Sequence, residues 1–365
     1  LQHQKEKQLK ASIKSIAAIA MFAFTAPAFA GGVNVYDDGE SKLKLGGKVF
    51  IDGTQTTTKS ATATTAKTTG FNLGRAYLTA KYTFNSDWMM RVTTDAALET
   101  GAGLGKRTNI FLKYAYLQGK LAGDAAVLRL GVSHNPWIDY EQGLWKHRYF
   151  SKVTSDEFKY DDSADLGVGL KGELADGLVK YWVTQVNGGG YGNIASSNGT
   201  DSKVRVGVYP IKGLTLDVGY NNGYRASKTF GLATPAGKQS MFQVMASYGI
   251  GHDFRVGANY IDNKDKASKL VSAKTFAVWG YAKVTSNMGL VGRYEKQDAY
   301  SLTATGVKGT VKEKRTRYIV GVDYSPTKHV DMTLGYILDD TKNSGYTIGA
   351  VKKVTQVGLW SQFKY

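Results

Sequence analysis

The feature that most limits what this chain can become is a two-residue alternation of apolar and polar side chains that returns, hairpin after hairpin, along most of its length. Within Gly70–Leu98, Ala76, Leu78, Ala80, Tyr82 and Phe84 share one parity, while Arg75, Tyr77, Thr79, Lys81 and Thr83 share the other. After the turn signal Asn85-Ser86 the pattern resumes, with Trp88, Met90, Val92 and Ala96 set against Met89, Arg91, Thr93 and Asp95. Period two sends each set to one face of a strand, so the hairpin has an apolar and a polar side. Tyr82, Phe84 and Trp88 gather at the turn end, where a membrane barrel carries interfacial aromatics and a soluble sandwich carries core.

Repetition separates these two readings. Thr108–Leu121 puts Ile110, Leu112, Tyr114 and Tyr116 on one parity and returns through Leu128, Leu130 and Val132 against Arg129. Leu166, Val168 and Leu170 then oppose Lys171 and Glu173, Val204, Val206 and Val208 oppose Lys203 and Arg205, and further hairpins turn at Gly251-His252, Ser286-Asn287 and Ser325-Pro326. With a first strand in Lys42–Thr57, the count is about sixteen, with short turns and both termini on one side and longer loops on the other. Connections are expected at Lys59–Thr69 and Glu99–Lys106. No Pro-rich or charged linker divides the chain, so 31–365 is expected to be a single all-β domain, a transmembrane antiparallel β-barrel. Hydrocarbon offers no partner to an unpaired strand edge, and only a closed sheet satisfies every backbone group there.

The first thirty residues are expected to be a cleaved signal peptide: Lys5, Lys7, Lys10 and Lys14 precede an apolar run from Ile16 to Phe24, and Ala28-Phe29-Ala30 has the small-x-small pattern. The run is too short to span a bilayer as a helix. A mean hydropathy of −0.29 is what alternating lipid-facing and lumen-facing residues average to. The absence of cysteine excludes disulfides, zinc–thiolate sites and c-type haem attachment. A net charge of +17 suits small anions or acidic lipid, and export argues against nucleic acid.

One long stretch, Asn135–Asp162, refuses the alternation. It is too aromatic to sit free in solvent and too charged for a strand, and it is expected to fold into the bore as a constriction loop carrying Trp145, Lys146, His147, Arg148, Tyr149 and Lys152. Its acids, Asp139, Glu141, Asp156 and Glu157, either complete a transverse field with Lys146, Arg148 and Lys152 or anchor the loop to wall arginines. Parity assigns the lumen wall Arg75, Lys81, Arg91, Lys113, Arg129, Lys171, Lys180, Arg205, Arg255, Arg293, Arg317 and Lys352. These either give the bore a positive interior that favours anions or are neutralised by Asp95, Glu173, Asp217, Glu295 and Asp323 on the same face. His134 and His147 match no metal-ligand spacing, and Gly101–Lys106 lacks the spacing of a phosphate loop. No catalytic grouping stands out, so neither enzyme activity, metal nor cofactor is expected.

Three segments, GFNLGRAYLTAKYTFNSDWMMRVTTD, LKYAYLQGKL with LRLGVSHNPW, and SADLGVGLKGEL ending in QVNGGGYG, resemble the phosphate-selective porin O and P family of Gram-negative outer membranes, most closely over Gly70–Gly192. The resemblance implies a sixteen-stranded, trimeric barrel whose third extracellular loop, here Asn135–Asp162, folds inward, with lumenal lysines and an arginine ladder to which Arg75 and Arg91 correspond. The last strand, with Val357, Leu359, Phe363 and Tyr365 on one parity, resembles the signal read by the outer-membrane assembly machinery. The expected function is passive diffusion of small hydrophilic solutes with a preference for anions, phosphate or another oxyanion among them. The expected partners are small anionic solutes, outer-membrane lipid and lipopolysaccharide, two further copies in a homotrimer, and the assembly machinery. The alternative is a non-conducting barrel acting as an adhesin or as a sheath for a partner.

Overall fold

The computed structural model describes residues 32–61, 65–101, 105–194, 199–225, 237–267, 269–303 and 307–365, so the expected signal peptide lies outside the described residues. The strands are β1 Val33–Asp37, β2 Lys42–Ser60, β3 Ala66–Thr83, β4 Trp88–Gly101, β5 Gly105–Ala122 and β6 Ala126–His134. After the long loop come β7 Ala164–Leu174, β8 Val179–Val186, β9 Asp201–Val208, β10 Leu214–Gly223, β11 Gln239–Ile250 and β12 Phe254–Asp265. The ring is completed by β13 Val271–Lys283, β14 Met288–Leu302, β15 Lys308–Thr327, β16 Val330–Lys342 and β17 Val351–Lys364. From β2 onward each strand pairs antiparallel with the next, and β17 pairs back onto β2, closing a barrel of 16 strands.

Parity sets the two faces. Leu216, Val218, Tyr220, Phe242, Phe276, Val278, Tyr318 and Val320 are exposed on the outside, while the residues between them, Thr215, Asp217, Asn221, Gln243, Thr275 and Arg317, are buried inside. Apolar residues outside and polar residues inside invert a soluble sheet protein, as a lipid-facing wall requires.

Two stretches expected as loops, Lys59–Thr69 and Glu99–Lys106, carry strand at both of their ends. β2 runs through the threonine run to Ser60, pairing Thr56 with Thr68 and Thr57 with Lys67, and β4 and β5 stay paired up to Gly101 and Gly105. Threonine and alanine look like linker by composition, yet β-branched threonine suits a pleated strand once a partner is present.

Sequence reasoning did not anticipate β1. The last strand ends with Lys364 opposite Lys48, and Tyr365 exchanges backbone hydrogen bonds with Gly47 at 2.9 and 3.2 Å. The edge of β2 from Lys42 to Leu45 would be left open there, and β1 takes it, pairing Val33 with Leu45 and Asp37 with Lys42. The seam of the ring is thus covered by both ends of the described chain.

Candidate functional site

The long loop leaves the wall at His134 and returns at Ala164, after the fifth strand of the ring. Its neck is closed by the Asn135 amide, which donates to the Asp162 carbonyl at 2.7 Å, and by the Asn135 N–H, which donates to the Ser163 carbonyl at 3.0 Å. Inside, it forms α1 Ile138–Trp145 and α2 Thr154–Glu157. Asp139 and Glu141 sit in the first turn of α1, where the helix dipole favours acids, and Lys146 ends it in the left-handed region at φ 60°. The loop then packs as a small core within the lumen: Trp137, Ile138, Leu144, Trp145, Phe150 and Val153 are buried together with wall residues Trp279, Ile319, Ile337 and Trp360.

Its polar anchors reach most of the wall from β9 to β16. Asp161 accepts from Lys203 at 2.6 Å and from Asn221 at 3.0 Å. The Tyr140 hydroxyl donates to Asp217 at 2.9 Å, and the Thr154 hydroxyl donates to Glu295 at 2.7 Å. Glu157 lies 3.2 Å from Arg315 and 3.6 Å from Arg317. Each of these groups is satisfied by a partner, as buried polar groups must be.

The six expected constriction residues do not form one cluster. Trp145 is fully buried beneath the Arg293 guanidinium, 4.0 Å away, and its indole N–H donates to the Ser151 carbonyl at 3.0 Å. Lys146 reaches the short β11–β12 turn, donating to His252 Nδ1 at 3.2 Å. His147 Nε2 contacts Asp323 at 2.7 Å, and Tyr149 contacts Thr333 at 2.8 Å. Trp145, His147 and Tyr149 pack ring beside ring, at centroid distances of 5.2 and 6.0 Å, while Arg148 and Lys152 come together apart from them, sharing Asp156 at 3.3 and 3.9 Å.

Burial perturbs the loop's charged groups. It pushes the Glu141 carboxyl up to about 7, against the pull of Arg293 and of the Trp137 indole, which donates to it at 2.9 Å. Asp139 is also raised by burial, although Lys113 opposes the shift and Tyr114 donates to it at 3.0 Å. Burial lowers Lys146 to about 8, helped by Arg255 and Lys283. Glu157 is lowered, because Arg317, Arg315 and Lys152 outweigh its burial.

The wall cations divide in two. Arg75 pairs with Asp95 at 2.6 Å, Lys180 with Glu173 at 2.6 Å, Arg205 with Asp217 at 2.6 Å, and Arg317 with Glu295 at 2.5 Å, with Arg293 3.8 Å from Glu295. Among the described residues Lys81, Arg91, Lys113, Arg129 and Lys171 have no carboxylate within 4 Å. Aromatic faces and neutral groups hold four of these instead. Arg91 lies 4.8 Å from the Tyr114 ring. Lys113 lies 3.4 Å from the Tyr191 ring and donates to the Ser163 hydroxyl at 2.5 Å. Arg129 lies 4.7 Å from Tyr116 and 5.0 Å from Trp182, donating to Gln118 and His134. Lys171 lies 5.4 Å from Trp182.

These five occupy neighbouring strands from β3 to β7; of the remaining expected wall cations, Arg255 on β12, which donates to the Ser247 hydroxyl at 2.9 Å, and Lys352 on β17 also have no carboxylate within 4 Å among the described residues. Lys81 stands opposite Arg91, Arg91 opposite Tyr116, and Lys171 opposite Trp182. Their aromatic supports were missed because parity assigned Tyr114 and Tyr116 to the same face as Ile110 and Leu112. The register slips between Thr93 opposite Tyr114 and Thr94 opposite Leu112, leaving Lys113 as the extra residue of a bulge. Below the bulge the parity reverses, and Tyr114 and Tyr116 turn inward and are buried. Trp182, which shares lumen parity with Lys180, was legible in the sequence as a candidate support.

Between the loop and this wall remains a cavity of about 30 Å³, bounded by Arg75, Tyr77 and Lys113 on the wall and by Gln142, Arg148 and Asp156 on the loop.

In sequence, neither a protein-family profile nor a curated protein matches the chain. In structure it is similar to outer-membrane porins. It superposes on an anion-selective porin from Comamonas acidovorans with a TM-score of 0.62 at 13% identity, covering 89% of this chain and 100% of that one. OmpF of Salmonella typhi, solved with daunomycin, gives a TM-score of 0.62 at 15% identity over 91% of this chain and 100% of that one. OmpT of the Vibrio cholerae outer membrane gives 0.60 at 16% identity over the same shares. At these identities the likeness is one of fold.

Proposed function

We propose that this protein is an outer-membrane porin through which small hydrophilic solutes diffuse passively, with a preference for anions. The observation that carries this reading is the belt of carboxylate-free cations from Lys81 to Lys171. A cation paired with a carboxylate at 2.6 Å presents little net charge to an ion passing several ångströms away, whereas one propped on an aromatic face has no carboxylate beside it to cancel its field. Unpaired fixed charge along one wall of a pore lowers the barrier for ions of opposite sign. The loop supports the reading by leaning on β9–β16, so that what space remains beside it lies toward Arg75 and Lys113. Phosphate and other oxyanions are the cargo that arginine and lysine donors suit best.

The homotrimer is part of the same proposal. On β2 and β3 the outward positions Gly47, Gly53, Ala76 and Ala80 are small, while Phe71 stands 90% exposed beside them. A second barrel would cover such a face, and the similar OmpT of Vibrio cholerae has been solved in a trimer form. Phe363 and Tyr365 are the proposed signal for the assembly machinery.

Planar-bilayer recording under a KCl gradient tests the function. A reversal potential of anion-selective sign is expected. A cation-selective sign would remove the anion preference, and an absence of conductance would favour the non-conducting barrel.

A further inference from the structure

The connection that follows β8 opens with three glycines in a row, Gly188, Gly189 and Gly190. Gly188 and Gly190 take φ of +85° and +71°, the left-handed region that glycine enters without strain. Both also lie against carboxylates: a Cβ would come within 2.7 Å of Asp201 at the first and within 2.6 Å of Asp162 at the second. The Gly190 N–H donates to the Asp165 carboxylate at 3.1 Å. The connection is thereby laid across the neck of the inward loop, and the next residue, Tyr191, is carried over to β3 and β5.

There Tyr191 meets the wall cations. Its ring stacks on Phe111 at a centroid distance of 5.7 Å with 12° between the planes, and it receives the Lys113 ammonium 3.4 Å from its centroid. Its hydroxyl end reaches the Arg75 guanidinium. Arg75 is tied to Asp95 and Arg148 to Asp156 by ion pairs, whereas Tyr191 is only half-buried and stands on a connection between strands. The cavity among these groups, about 30 Å³, holds about two waters. A larger anion crosses this gap only if a lining side chain yields. Tyr191 is the one that neither the strand ladder, an ion pair nor the packed core of the inward loop fixes.

We propose that Tyr191 is a specificity-determining residue of the pore: its ring covers Lys113 and narrows the gap between Arg75 and Arg148, so that small anions pass and larger organic carboxylates are held back. The inference rests on the porin reading above. It adds a second element, supplied from between β8 and β9, that selects by size where the cation belt selects by charge. Phenylalanine would keep the ring over the ammonium, while alanine would uncover it.

The test compares the unmodified protein with Y191A and Y191F in planar bilayers, with KCl on one side and potassium gluconate on the other. The gluconate-to-chloride permeability ratio is expected to rise at least about threefold in Y191A and to keep its original value in Y191F. A second readout is the rate at which a water-soluble amine-reactive acetyl ester modifies Lys113 in the folded protein, followed by mass spectrometry. That rate should rise at least about fivefold in Y191A and stay the same in Y191F. An unchanged permeability ratio in a conducting Y191A would overturn the size selection, and an unchanged Lys113 rate would overturn the cover. An equal rise in Y191F would assign the effect to the hydroxyl and overturn the ring as the selector. An absence of current from all three proteins would sink the porin reading and the selection with it, while the acetylation rate, which needs no current, still decides whether Tyr191 covers Lys113.

Discussion

The ring of Phe150 occupies the space that a side chain at position 335 would need: a Cβ on Gly335 would lie 2.5 Å from it. The ring also meets Trp360 edge-on at a centroid distance of 4.8 Å. The far end of the inward loop is thereby seated in a socket on β16 and β17 that only glycine leaves open. Replacing Phe150 with Ala should cost about 3–4 kcal/mol of loop docking by leaving a cavity, and Gly335→Ala should unseat the ring from the other side. Both variants should keep a folded barrel, since no wall hydrogen bond is touched, but give a larger and noisier single-channel current. An unchanged current would mean that the loop does not narrow the path.

Glu141 supplies a pH dependence. Its carboxyl is raised to about 7 by burial, so the docked loop binds its proton more tightly than the undocked one does. Stability from this group is therefore complete in acid and declines as pH rises from the unperturbed glutamate range through about 7. Glu141→Gln removes the ionisation while leaving an oxygen for the Trp137 indole. Thermal unfolding of the two proteins should coincide near pH 4 and diverge by up to about 3 kcal/mol by pH 8, the variant being the more stable. Curves that stay parallel from pH 4 to pH 8 would contradict this.

The closure seam carries a third prediction. The Tyr365 hydroxyl lies 3.2 Å from the Tyr77 carbonyl, crossing Gly47 between them, so the terminal side chain spans β17, β2 and β3. Tyr365→Phe should cost about 1 kcal/mol. Gly47→Val should cost more, because its side chain would meet the Tyr365 ring, where a Cβ already lies 2.5 Å from the hydroxyl oxygen. The readout is the temperature at which the barrel loses its compact form on a denaturing gel. An equal temperature for Gly47→Val and the unmodified protein would mean that the seam does not depend on this crossing.

Much of the architecture was legible because period-two alternation is local: each strand declares its two faces without reference to its neighbours. The position of Asn135–Asp162 after the fifth strand followed from counting those strands. Bulges are different, since Lys113 and Gly74 look like any other strand residue until the partner register is known. The same limit applied to charge. Arg317 meets Glu295 on the adjacent strand and Glu157 on the inward loop, while Arg129 meets Tyr116 and Trp182, and nothing along the chain distinguishes the two arginines. Parity could list the lumen's cations; only the folded loop and wall sort them into neutralised and free.

That division is the most direct test of the account. Two variants remove the same number of cations: K81Q/R91Q/R129Q/K171Q takes four carboxylate-free ones, and R75Q/K180Q/R205Q/R317Q, combined with D95N, E173Q, D217N and E295Q, takes four paired ones with their partners. The chloride-to-potassium permeability ratio, read from the reversal potential under a KCl gradient, should fall to or below unity in the first variant. In the second, provided it folds as judged by β-sheet circular dichroism and conductance, the ratio should stay at its original value. Retention of anion preference by the first variant, or its equal loss in both, would contradict the claim that the belt on β3–β7 sets the selectivity.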